Sequence, residues 1–85
     1  MFQVEIRGLE EAQHPFYIIV YGIMQDGNEW LQSVARFVNT NQGGKVQFLE
    51  PDLKKMQQLE NGIELINQVE QTILEEGRRL SADQS

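Results

Sequence analysis

The sequence predicts an α+β fold with the element order ββαβα, in which one short and one long C-terminal helix cover a small three-stranded mixed sheet. Three observations support this prediction: two β-patterned segments open the chain, a helical pattern separates the second strand from a short third one, and a long helical pattern closes it. The chain has 85 residues. We therefore expect one α+β domain over residues 1–80 and a frayed tail over residues 81–85.

The first two strands follow from the pattern of apolar residues. Phe2, Val4 and Ile6 alternate with polar neighbours, which is typical of a half-buried strand. Residues 16–24 are apolar almost throughout, which favours a central strand covered on both faces. Gly22 within that strand predicts a bulge or a close approach by another backbone. The two strands should be antiparallel neighbours.

A short helix and a third strand are predicted next. Residues 28–39 carry apolar side chains at helical spacing, and Asn28 is a suitable N-cap residue. The apolar residues concerned are Trp30, Leu31, Val34, Phe37 and Val38. Residues 39–44 have the composition of a loop, and residues 45–49 predict a short strand. A right-handed crossover would make the second and third strands parallel, while their order in the sheet stays open.

The pattern from Pro51 to Leu80 predicts a helix longer than the domain that carries it. Such a helix extends about 45 Å, whereas a domain of this size is only about 30 Å across. We therefore expect its apolar stripe to pack on a second copy of the chain as a homodimer. The predicted interface residues are Leu59, Ile63, Ile66, Val69, Glu70, Ile73 and Leu80. The alternative is a break at Asn61-Gly62, after which the second half folds back on the sheet.

Glu70 is the one carboxylate inside this stripe. A buried carboxylate must be paired, hydrogen-bonded or protonated. In a dimer it could meet Arg36 or His14 of the second copy, and at the edge of the stripe it would instead reach water.

The net charge of the chain limits the classes of partner that it can bind. Thirteen acidic residues against seven basic ones give a formal net charge of −6, which disfavours direct binding to duplex nucleic acid or anionic lipid. We expect acidic residues on the first loop and the long helix to contact a basic protein surface. These residues are Glu10, Glu11, Glu60, Glu64 and Glu75. The alternative is that they form an ordinary solvated surface.

No catalytic, cofactor or metal site is predicted. The chain lacks cysteine and has one histidine, which excludes thiolate metal sites and any multi-histidine site within one copy. His14 has no neighbouring partner in the sequence that would support acid–base catalysis. Gly43-Gly44-Lys45 lacks the glycine spacing of a phosphate-binding loop.

These observations favour a small acidic, non-enzymatic protein-binding module. An inhibitor of the immunity-protein, antitoxin or phage-encoded type would fit its size and charge. The alternative is a structural or assembly subunit whose C-terminal helix stripe mediates oligomerisation. No apolar run is long enough to cross a membrane, and the N-terminus lacks the basic region of a signal peptide, so we expect a cytoplasmic location.

Overall fold

The computed structural model describes the backbone of residues 1–84 and the side chains of residues 1–82. Its elements in chain order are strands β1 (Phe2–Gln13), β2 (Phe16–Gln25), β3 (Asn28–Val38) and β4 (Lys45–Phe48), then helices α1 (Glu50–Gln57) and α2 (Gly62–Gln84). The predicted α+β class is confirmed. The sheet has four strands in the order β1-β2-β3-β4, and every neighbouring pair is antiparallel.

The predicted helix over residues 28–39 is wrong, because this segment forms strand β3. Asp26 and Gly27 both have positive φ angles, of 51° and 85°, and they join β2 to β3 as a two-residue hairpin turn. The spacing of the apolar residues fits a strand as well as a helix, and Asp-Gly between two apolar runs is the stronger local signal. The element order is therefore ββββαα. The predicted crossover does not form, because the segment between the two predicted strands is itself a strand of the sheet. Strand β3 is antiparallel to both β2 and β4, so β2 and β4 run in the same direction, as predicted, but are not neighbours.

The long helix is broken, which is the alternative that the sequence left open. Helix α1 ends at Gln57, residues 58–61 form turns, and α2 begins at Gly62. A side chain on Gly62 would overlap the carbonyl oxygen of Met56, so this tight turn requires glycine. Helix α2 has 23 residues and so extends about 35 Å. Buried residues recur along it at Leu65, Val69, Ile73 and Ser81, so one side of α2 is covered by the rest of the chain over most of its length.

Both helices pack on the same face of the sheet. The core consists of Tyr17, Ile19, Tyr21, Ile23, Ala35, Phe37, Met56, Leu65, Val69 and Ile73. Every second residue of β2 belongs to it, so the helices cover one face of this strand, and the prediction that both faces are covered is wrong. Gly77 of α2 lies directly against the Phe37 ring, where a larger residue would overlap it. The close approach of α2 to β3 depends on this glycine.

A buried polar contact joins α1 to the sheet. The Ser33 hydroxyl donates a hydrogen bond to Oδ2 of Asp52, which is buried at the start of α1. Tyr21 pairs with Ser33 across the strands, and its buried hydroxyl has no hydrogen-bond partner in the described part of the chain. Burial raises the pKa of Tyr21, and the negative charge of Asp52 raises it further.

Two further features concern the ends of the chain. Residues 81–84, expected in a frayed tail, continue α2, and the Ser81 hydroxyl is buried and donates to the Arg78 carbonyl at 3.1 Å. The last position of that predicted tail, Ser85, lies outside the described residues. At the other end, β1 is an edge strand whose pairing with β2 shifts register at two places, around Arg7 and around Glu10.

Candidate binding surface on the open face of the sheet

The two faces of the sheet have different surroundings. The helices cover the face described above, while no other element within residues 1–84 packs on the opposite face, which we call the open face. Apolar side chains of the two central strands lie there without joining the core cluster. We call this set the open-face patch, and it consists of Phe16, Ile18, Val20, Val34 and Val38. Phe16 is 47% exposed, and the others are half-buried by their neighbours.

Strand pairing holds the patch in place. Phe16 is opposite Val38, and Val20 is opposite Val34, so apolar side chains adjoin across the β2–β3 ladder. β-branched and aromatic residues favour the extended backbone of a strand, which explains why this surface forms despite its exposure. Both strands lie inside the sheet, between β1 and β4. The position of the patch is therefore fixed by the pairing of both strands on each side.

Two grooves flank Ile18 on the open face. The first has a volume of about 290 Å³ and is lined by Glu11, Gln13, Phe16, Ile18 and Arg36. The second, of about 200 Å³, lies between β3 and β4 and includes Leu49, which is 50% exposed. Both grooves are bordered by the apolar side chain of Ile18.

A charged row crosses the patch. Glu11 is opposite Ile18 on the neighbouring strand, and Ile18 is opposite Arg36 on the next, so the three side chains lie side by side. The Arg36 guanidinium lies 5.6 Å from the centre of the Phe16 ring, a cation–π contact. Among the described residues, neither Glu11 nor Arg36 forms an ion pair. An acid and a base are thus available on opposite sides of an apolar ridge.

The other end of the open face is occupied by a polar cluster around Arg7. Its guanidinium lies across Gly22, where a side chain would overlap it, so the predicted close approach at Gly22 is made by a side chain. The guanidinium pairs with Glu29 and, at 3.3 Å, with Glu5, and it also donates to Gln32. The hydrogen bond with Glu29 is the main cause that raises the pKa of Arg7. This cluster of one cation and two carboxylates bounds the patch.

The centre of the stripe predicted as a dimer interface faces the chain's own sheet. Val69 and Ile73 are fully buried in the core, so they offer no surface to a second copy. Ile63 is 75% exposed at the start of α2. The rest of the predicted interface is half-buried: Leu59, Ile66, Glu70 and Leu80. The geometric reason for expecting a dimer through this helix is therefore gone.

The suggested partners of Glu70 lie elsewhere in the fold. Arg36 is on the open face, so the sheet separates it from α2. His14 lies in the exposed turn after β1, with Nδ1 3.1 Å from the Tyr17 hydroxyl.

The five acidic residues predicted to bind a partner are exposed, but they do not form one surface. Glu64 and Glu75 lie on α2, and Glu60 lies in the turn that precedes it. Glu10 and Glu11 lie near the end of β1, and Glu11 belongs to the open face. The sheet therefore separates Glu11 from the helix carboxylates.

Within the described part of the chain, histidine, aspartate and glutamate side chains form no group of three or more that could hold a metal ion. Over the same residues, no helix combines the length and apolar character that a membrane span requires.

Sequence reasoning missed the open-face patch because it assigned residues 28–39 to a helix. That assignment removed Val34, Arg36 and Val38 from the sheet and supplied a helix to cover the second face of β2. The signal that could have found the patch is Asp26-Gly27, which predicts a hairpin and hence a third long strand beside β2.

Comparisons of the chain with protein-family models, with curated proteins and with solved structures found no match.

Proposed function

We propose that the protein is a non-enzymatic protein-binding module whose binding surface is the open-face patch. The observation that carries the proposal is the run of apolar side chains at alternate positions of β2, adjoined by Val34 and Val38 of β3, on the face that the helices leave uncovered. An antiparallel sheet with one wet face normally places polar side chains on that face. A contiguous apolar surface on a folded chain is typical of a contact site.

The surroundings of the patch support the same function. Specific interfaces combine an apolar centre with a polar rim that fixes orientation. Here the rim includes Glu11, Gln13 and Arg36 on one groove and Gln47 on the other. The rim supplies one acceptor and one donor group of opposite charge, which would favour some partners over others.

The helix layer offers a second candidate surface for a basic partner. Glu64 and Glu75 are exposed on α2, and neither takes part in an ion pair within the described residues. With the net charge of −6, this favours faster association with a positively charged protein. The role of an inhibitor and the identity of such a partner are expectations from charge and size alone.

A pair of matched isoleucine substitutions tests the proposed function. Ile18→Lys alters the open-face patch, and Ile63→Lys makes the same chemical change on the helix layer, where the side chain is already exposed. Immobilised wild-type protein is used to capture a partner, which is then purified and titrated against all three versions. Ile18→Lys should weaken binding at least about ten-fold, since it places a charge in the centre of the contact.

The Ile63→Lys variant is the control for this experiment. Ile63→Lys should keep wild-type affinity, and circular dichroism with chemical denaturation should show that both variants fold. Equal binding by all three versions would contradict binding through the open face. Loss of binding only in Ile63→Lys would assign the contact to the helix layer instead.

A further inference from the structure

We infer that the open-face patch binds a second copy of this chain, packed face to face about a two-fold axis that runs parallel to β2 over Ile18. The inference rests on the proposed function, because it names the partner of the same surface. It differs from the dimer expected on sequence grounds, which placed the contact on the C-terminal helix.

The charged row is complementary to itself under this symmetry. Glu11 and Arg36 flank Ile18 on the two neighbouring strands, each about 4.8 Å away along the row. Rotation by half a turn about this axis, which lies between the two sheets and runs parallel to β2, exchanges the β1 side of the row with the β3 side. Arg36 of each copy then faces Glu11 of the other, and Ile18 faces Ile18. Two ion pairs form from groups that have no ion-pair partner within the described part of one chain.

The next row is complementary in shape. Gly8, Val20 and Val34 lie side by side on β1, β2 and β3. The same rotation places Val34 of each copy over Gly8 of the other. Gly8 has no side chain, and the space that a β-carbon would occupy there is empty within 4 Å. The protruding valine therefore meets an open position, and Val20 packs against Val20.

The charge of the open face permits this contact despite the net charge of the chain. Two molecules of net charge −6 repel each other at long range. At the polar end of the face, Arg7 pairs with both Glu5 and Glu29, which reduces the charge there to one net negative charge. Lys45 adds a positive charge at the other end of the face, beside Val38. The face therefore carries both signs, while Glu64 and Glu75 lie on the helix layer, away from the contact.

The area of the contact indicates how tightly the two copies should bind. Only β1, β2 and β3 of each copy overlap in this arrangement, because the rotation leaves β4 with no strand opposite it. Strands about ten residues long, with a rise of about 3.3 Å per residue and a spacing of about 4.8 Å, then give a contact of about 475 Å² per copy. Two such faces bury about 950 Å², which is the size of weak, reversible contacts. We expect a reversible dimer with a dissociation constant on the order of micromolar, with the strands of the two sheets aligned within about 30°.

A charge-swap series tests the inference by sedimentation equilibrium from about 1 μM to about 1 mM. Arg36→Glu and Glu11→Arg should each raise the dimer dissociation constant at least about ten-fold, because each places like charges opposite one another. The double variant Glu11→Arg with Arg36→Glu should restore the wild-type constant to within about three-fold. Glu64→Arg, a charge reversal of equal size on the helix layer, is the matched control and should leave dimerisation intact.

The outcomes separate this inference from the proposed function. A wild-type chain that stays monomeric throughout, or a double variant that fails to recover dimerisation, would overturn the two-fold contact. If a monomeric chain still lost its captured partner on Ile18→Lys, the open face would bind another protein and the proposed function would stand. A dimer weakened by Glu64→Arg and unaffected by Arg36→Glu would place self-association on the helices.

Discussion

Ile18 and Ile19 are neighbours in β2, yet they lie in different environments. Ile19 is fully buried beneath the helices, whereas Ile18 is half-buried on the open face, between two grooves. The alternation of a strand separates them, because successive side chains point to opposite sides of a sheet. One strand therefore supplies stability through one set of residues and a contact surface through the other.

Alanine substitutions at Ile18 and Ile19 should differ more in their effect on the free energy of unfolding than any other pair compared below. Ile19→Ala removes buried methyl groups from a closed core and should lower the free energy of unfolding by about 2–5 kcal/mol. Ile18→Ala removes the same groups from a surface that water already reaches, and should cost less than about 1 kcal/mol in the monomer. Urea denaturation, followed by the fluorescence of Trp30, measures both. Similar losses would mean that the open face is covered in solution.

The contact between α2 and β3 can be tested at Gly77. Alanine is favoured over glycine inside a helix by about 1 kcal/mol. A β-carbon at this position would nevertheless overlap the Phe37 ring. We expect Gly77→Ala to destabilise the protein by about 1–3 kcal/mol, as overpacking does.

Gln71→Ala is the control, because Gln71 is exposed on the same helix. It should leave the midpoint of thermal unfolding nearly unchanged. A stabilised Gly77→Ala variant would show that α2 lies further from the sheet than described.

The smallest effect is expected at the Tyr21 hydroxyl. Because this buried group has no hydrogen-bond partner within the described residues, Tyr21→Phe should be neutral or should stabilise the fold by up to about 1 kcal/mol. Tyr17→Phe, which removes the contact of the Tyr17 hydroxyl with His14, should instead cost about 0.5–1.5 kcal/mol. Chemical denaturation at neutral pH compares the two.

Tyr21 should also make the free energy of unfolding depend on pH in the alkaline range. The pKa of Tyr21 is raised in the folded protein above its ordinary value of 10.0. The unfolded chain therefore loses this proton first as the pH rises, and the stabilisation that is complete below pH 10 declines above it. Tyr21→Phe should show a smaller loss of stability in this alkaline range. An identical alkaline decline in both proteins would contradict the burial of the phenol.

The sequence was informative where the patterns had one interpretation. Alternation in residues 2–6 and the apolar run in residues 16–24 correctly predicted two antiparallel strands. The region after Asp26 was misassigned because apolar residues spaced three and four apart also fall on alternate sides of a strand with a bulge. The break before Gly62 could be proposed but not decided, since glycine is tolerated inside helices and only the packed structure shows the overlap with Met56. The open face followed from none of these patterns, because it depends on where the helices pack.

The irregular pairing of β1 limits how copies of the chain can join. An exposed sheet margin with free amide and carbonyl groups invites an additional strand from another molecule, and repeated addition leads to fibrils. Here one margin is bulged at two places, and the other, β4, has only four residues. Neither margin suits continuous strand addition, so contact through the flat side of the sheet would end at two molecules and leave no site for further growth.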